Sequence, residues 1–251
     1  MFLYSMCSEK DLGLYSSVLR IVENLHFIPI IFMATLFPLL SSTFGQSKDK
    51  FKHIYTKVFG YMSMFIIPVA VGTTFLSSKI VVLLYGQSFI AASSAMAILM
   101  WAEVFVFLGT VNGEAITASG AQKYIFYFTL IGASLSLLFN YLLIPKYGIN
   151  GAAVSLVISY SGGPAMILQY LLPKTRDLTK AYFASIFKPI LCSLPMALFL
   201  FVFIDINLFV LIGISIVLYF LALCFSKSFG KQEIHYIKQA FSFRESSNRT
   251  E

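Results

Sequence analysis

From Leu208 to Phe225 the chain runs eighteen residues without a charged side chain. A helix of about 20 such residues spans the roughly 30 Å hydrocarbon layer of a bilayer, and similar stretches recur along most of the 251 residues. Inside hydrocarbon the backbone has no water to bond, so only helices or a closed β-barrel can cross it. The dyad alternation of barrel strands, in segments of about ten residues, is not seen. The sequence therefore predicts an all-α fold, a polytopic transmembrane helix bundle of about seven spans. They are placed at 14–37, 57–78, 93–118, 124–144, 151–172, 182–204 and 208–225. Residues 1–12 read as the external end of a further span, 13–225 as the bundle and 226–251 as a basic cytoplasmic tail. With 58% hydrophobic and 12% charged residues, water is not the main solvent of this chain.

The net charge of +7 could suggest nucleic acid, but its distribution argues otherwise. Lys48, Lys50, Lys52 and Lys57 crowd the first connection, and every second connection after it is also basic. Lys123 follows, then Lys174, Arg176, Lys180 and Lys188, then the tail with Lys227, Lys231, Lys238, Arg244 and Arg249. The alternate connections hold only Lys10, Lys79 and Lys146. By the positive-inside bias the N-terminus is external and the C-terminus cytoplasmic. An external N-terminus needs translocation, yet "MFLYSMCSEKDLG" is no signal peptide. Met1–Met6 are therefore expected to be the tail of a preceding span. In the tail, Ile234, Ile237 and Phe241 stand at helical spacing among basic residues, which suits either an interfacial helix or a solvated terminus.

Little here supports catalysis. Cys7, Cys192 and Cys224 have neither disulfide nor metal-ligand spacing. His26, His53 and His235 lie on separate segments with no nucleophile placed beside them. No catalytic residue, metal or cofactor is expected.

The informative residues are polar groups inside the spans. Ser16, Arg20, Glu23, Asn24 and Phe27 fall on one stripe of the first helix. An Arg at the bilayer centre costs about 2.5–3.5 kcal/mol on insertion scales, so the stripe should face protein or water. Two readings compete: Arg20 and Glu23 as an internal ion pair, or Arg20 as a cation lining a cavity for an anionic group. In the third span, Trp101 and Glu103 read as interfacial, and Glu114 as the partner of Lys123 at the cytoplasmic mouth or as a proton-exchanging group. Pro29, Pro38, Pro68 and "SGGPA" (161–165) read as packing kinks, although interrupted helices also border transport sites.

Two blocks carry a family resemblance. The first is "DLGLYSSVLRIVENLHFIPIIFMATLFPLLS", residues 11–41, with Asp11, Gly13, Tyr15, Ser16, Arg20, Glu23, Phe27, Ile28 and Pro29. The second runs from Trp101 to Ser159, with the Trp101–Gly109 run, Gln122 and Lys123, and the Leu143–Ala153 element. Together they resemble the C-terminal half of Wzx-type polysaccharide and O-antigen flippases, members of the multidrug, oligosaccharidyl-lipid and polysaccharide exporter superfamily. Ser136 departs from the Asn expected there, while Asn140 is kept. The family has about fourteen spans in two lobes, and the resemblance covers the second.

The resemblance implies a transporter, not an enzyme, that flips polyprenyl-pyrophosphate-linked oligosaccharide across a bacterial inner membrane for O-antigen, lipopolysaccharide, capsule or exopolysaccharide synthesis. It implies Arg20, Glu23 and Asn24 as substrate-binding residues, with Glu114 and Lys123 as a coupling or gate pair. Membrane lipid, an N-terminal lobe and other polysaccharide assembly proteins are the expected partners, and nucleic acid is not. The alternatives are a non-functional remnant, a half-transporter that needs a separate N-terminal half, or a drug or cation exporter of the same fold.

Overall fold

A computed structural model describes residues 8–162 and 176–226, and the described residues are helical and strand-free. Helix α1 (Glu9–Glu23) starts at Ser8, whose hydroxyl accepts the Asp11 backbone N–H at 3.2 Å and donates to the Asp11 carboxylate at 2.7 Å. This is N-cap chemistry, satisfying a donor that the first helical turn leaves open. A short 3-10 turn, Asn24–His26, leads into α2 (Phe27–Gln46). Pro29 sits in the first turn of α2, where its missing N–H costs no intrahelical bond. Pro38 and Pro68 lie inside uninterrupted helices. Of "SGGPA", only Ser161 and Gly162 fall within the described residues.

The expected basic connection after the first span is almost entirely helix. Only Ser47 leaves helical geometry (φ −157°, ψ 116°), and its hydroxyl caps α3 (Lys48–Tyr85) by accepting from Lys50 N at 3.4 Å. The lysines here are good helix formers, and Ser is a good cap. At 38 residues, α3 has a length of about 57 Å, well beyond the hydrocarbon thickness. Gly86 stops it with a left-handed backbone (φ 84°). A 3-10 stretch, Gln87–Ala92, then leads to α4 (Ser93–Ala118).

Helix α5 (Lys123–Tyr160) is continuous by hydrogen bonding but reverses direction at Gly148 (φ 53°), three residues after Pro145. A Cβ built on Gly132 would lie 3.1 Å from the Ser159 carbonyl oxygen, and one on Gly151 would lie 2.3 Å from that of Leu143. Residues this far apart in sequence meet only if the two arms run antiparallel. This hairpin reconciles six helices long and apolar enough to cross a membrane, among the described residues, with the seven spans expected. The outgoing arm matches the fourth, and the returning arm begins the fifth. Helix α6 (Arg176–Val202) and α7 (Leu208–Phe225) complete the described bundle, α7 being capped by Asn207 Oδ1 on the Phe209 N–H at 3.0 Å.

The core runs along α3 and α4, where Phe59, Ile66, Leu99, Phe107 and Ile116 are buried. A second cluster joins α3 to α6 and α7 through Leu76, Met196, Leu200, Leu211 and Tyr219. Large apolar side chains face outward instead of charges: Phe126, Leu137 and Tyr141 on the hairpin, Leu198 and Phe201 on α6, and Phe209 on α7. Hydrocarbon solvates such a surface, so close packing among small residues, as at Gly132, holds the arms together.

Candidate functional site

Helix α1 turns Leu14, Tyr15, Val18 and Val22 into the core, which places Arg20, Glu23 and Asn24 on its exposed side. The polar stripe therefore sits on the surface of the bundle, at and just before the break into α2. Arg20 and Glu23 form no ion pair with each other. Phe27, Ile30 and Ile31, exposed by 58–62%, continue the same surface as an apolar one.

The side-chain contact that does form lies one step inward. His26 Nε2 stands 2.7 Å from Glu103 Oε2, linking the 3-10 turn to α4. The Glu103 side chain is 1% exposed and that of His26 32%. The other carboxylate oxygen, Oε1, is buried with no hydrogen-bond partner. Glu103, read from the sequence as interfacial, is buried between helices ten residues into α4, about 15 Å from that helix's start. Glu23 at the end of α1 and Tyr160 of the returning arm are the other titratable groups whose charge bears on it.

Beside this cluster, a cleft of about 540 Å³ separates α4 from the two hairpin arms. Gly109, Gly113 and Gly132 keep it open, Thr110, Thr129 and Ser159 supply its polar groups, and Tyr160 closes one end. Asn140 donates to Ser136 Oγ one turn away at 3.2 Å, within its own arm.

Glu114 and Lys123 are not brought together as a pair. Glu114 is half-buried on α4, while the Lys123 ammonium lies over the Tyr124 ring at 5.4 Å, a cation–π contact. A second in-span polar group of α4 with a firm partner is Asn112, fully buried, which accepts from the Tyr55 hydroxyl of α3 at 2.9 Å. Tyr55→Phe strands the Asn112 oxygen and is expected to cost about 1–3 kcal/mol. Thermal unfolding in detergent reads it, and unchanged stability would show that the bond carries no weight. Trp101, read as an interfacial aromatic, is partly exposed and donates through Nε1 to Thr74 Oγ1 at 3.1 Å, tying α4 to α3.

Sequence reasoning missed the His26–Glu103 pair because the partners lie far apart along the chain. The available signal was an acid ten residues inside an apolar helix, together with a histidine beside a proline-marked break.

Helices that pack through small residues, expose apolar faces and bury a few polar pairs are those of a multi-span membrane protein. Its fold matches the lipid II flippase MurJ in an inward closed conformation with a TM-score of 0.61 and 18% identity, over 87% of this chain and 50% of MurJ. The family described as Polysaccharide biosynthesis protein matches residues 3–94. The uncharacterized membrane protein MJ1068 of Methanocaldococcus jannaschii is 30% identical over 128 residues, 51% of this chain and 25% of that protein. The probable low-salt glycan biosynthesis flippase Agl15 of Haloferax volcanii is 24% identical over 167 residues, 65% of this chain and 35% of Agl15. Over part of its length the chain is thus similar to the polysaccharide biosynthesis protein family and to a probable glycan flippase, and its fold resembles that of MurJ. The chain spans about half the length of MurJ, and the aligned parts cover 25% and 35% of the two archaeal relatives.

Proposed function

We propose that this chain is one lobe, the C-terminal one, of a transporter that moves polyprenyl-pyrophosphate-linked oligosaccharide across the inner membrane of a bacterium for surface polysaccharide synthesis. The observation that carries this reading is the placement of Arg20, Glu23 and Asn24 together on the bundle's surface, at a helix break in an otherwise apolar face. A guanidinium exposed beside an apolar face is costly against lipid and useful against an anion. Facing a second lobe across an aqueous cavity, Arg20 offers the diphosphate a compensating charge, and Glu23 loosens that hold so the substrate can leave. Glu114, half-buried on α4, and Lys123, at the start of the hairpin, lie near the cytoplasmic ends of their helices, where opening and closing would be felt. In this reading the N-terminus is external and the basic ends are cytoplasmic.

The test is complementation of a flippase-deficient strain by the gene in its full genomic context. Arg20→Ala is expected to reduce surface polysaccharide at least tenfold, Arg20→Lys less so, with membrane abundance unchanged. Wild-type polysaccharide from Arg20→Ala would remove the anion-binding role.

A further inference from the structure

We propose that His26 and Glu103 form a proton-binding site between the α1–α2 break and the middle of α4, loaded from the exposed surface of α1. Glu103 is buried, its Oε1 has no partner, and its Oε2 is held by one imidazole nitrogen. Neither Lys nor Arg pairs with it among the described residues. A carboxylate buried in hydrocarbon without a cation is costly, and a proton is the smallest group that removes the charge. The surroundings supply a route. Glu23 is exposed, His26 half-exposed and Glu103 buried, so the three step from surface to core across one helix break. Besides Glu23 and His26, the titratable groups whose charge bears on this cluster are Tyr160 of the returning arm and Tyr15 of α1.

The transfer balances with one proton. With neutral His26 and ionised Glu103, the hydrogen between Nε2 and Oε2 belongs to the ring. A proton taken up at the ring's other nitrogen lets that hydrogen pass to Oε2, leaving a neutral acid and a neutral imidazole. The pair moves from net charge −1 to zero with no change of partner. Because it joins the α1–α2 break to α4, this charge change acts where two segments of the bundle meet. Its use in driving movement rests on the transport reading, but proton binding does not.

The experiment is infrared difference spectroscopy of the 251-residue chain in lipid nanodiscs, following the carbonyl stretch of protonated carboxyl groups as pH is varied. Above about pH 6, where ordinary solvated carboxyls are already ionised, wild type is expected to show one titrating carboxylic acid that Glu103→Gln abolishes and Asp49→Asn leaves intact. His26→Phe and Glu23→Gln are each expected to move its midpoint by at least one pH unit, a tenfold change in proton affinity. A band titrating in that window that survives Glu103→Gln overturns the site. If Glu103→Gln fails to fold, His26→Phe decides, and an unshifted midpoint overturns the proposal. No substrate enters this measurement, so a failed polysaccharide assay leaves the site standing, and a missing band leaves the transport reading standing.

Discussion

Gly151→Ala should unfold or misassemble the α5 hairpin. The added methyl would lie 2.3 Å from the Leu143 carbonyl oxygen and 2.6 Å from its carbon. Both atoms are backbone at the chain reversal, so no side-chain rotation relieves the clash. Overpacking of flexible side chains typically costs about 1–3 kcal/mol, and a backbone clash belongs at or above the top of that range. The expected readout is a large drop in folded yield and in thermal midpoint in detergent. Gly13→Ala is the comparison, since a methyl there meets nothing within 4 Å. In mid-helix it should be neutral or stabilising by up to about 1 kcal/mol. Equal behaviour of the two variants would show that the reversal between Leu143 and Gly151 is not as described.

Phe59→Ala is expected to loosen the contact between α3 and α6. The ring is fully buried, stacks on Tyr182 with centroids 4.4 Å apart and tilts against Tyr55 at 5.9 Å. In water-soluble cores such truncations cost about 3–5 kcal/mol, from transfer and cavity terms together. Within a membrane the transfer part shrinks, because lipid is as apolar as the core, leaving lost dispersion contacts and the void. A loss of about 2–3 kcal/mol is therefore expected. Phe59→Leu should recover much of it, and unchanged stability of Phe59→Ala would place α6 elsewhere. Because Tyr55 also bonds Asn112, the truncation should weaken the link from α3 to α4 as well.

Much of the fold was legible because hydrocarbon leaves the backbone few choices. Charge-free runs located the helices, and Gly148 with Pro145 divided the fourth span from the fifth within the element "LIPKYGINGAA". The one-residue connection at Ser47 was not legible. A lysine-rich stretch reads as a loop by hydropathy and as a helix by propensity, and the cap at Ser47 favours the helix. The polar stripe of α1 was legible from its spacing, but its direction was not. Only the packing of Tyr15, Val18 and Val22 shows that Arg20 and Glu23 face away from the core. The Glu103–His26 contact was hidden for another reason. Pairing of charges across helices depends on which faces meet, and two apolar helices show too little periodicity to reveal that.

The helix starting at Lys48 is longer than the membrane is thick, and its basic end is joined to α2 through the single extended residue Ser47. Two helices clasped so tightly behave as one stiff spar rooted in the core. Displacement along a spar grows with distance from its pivot, so a slight rocking of the bundle becomes a sweep of lysines through the headgroup layer.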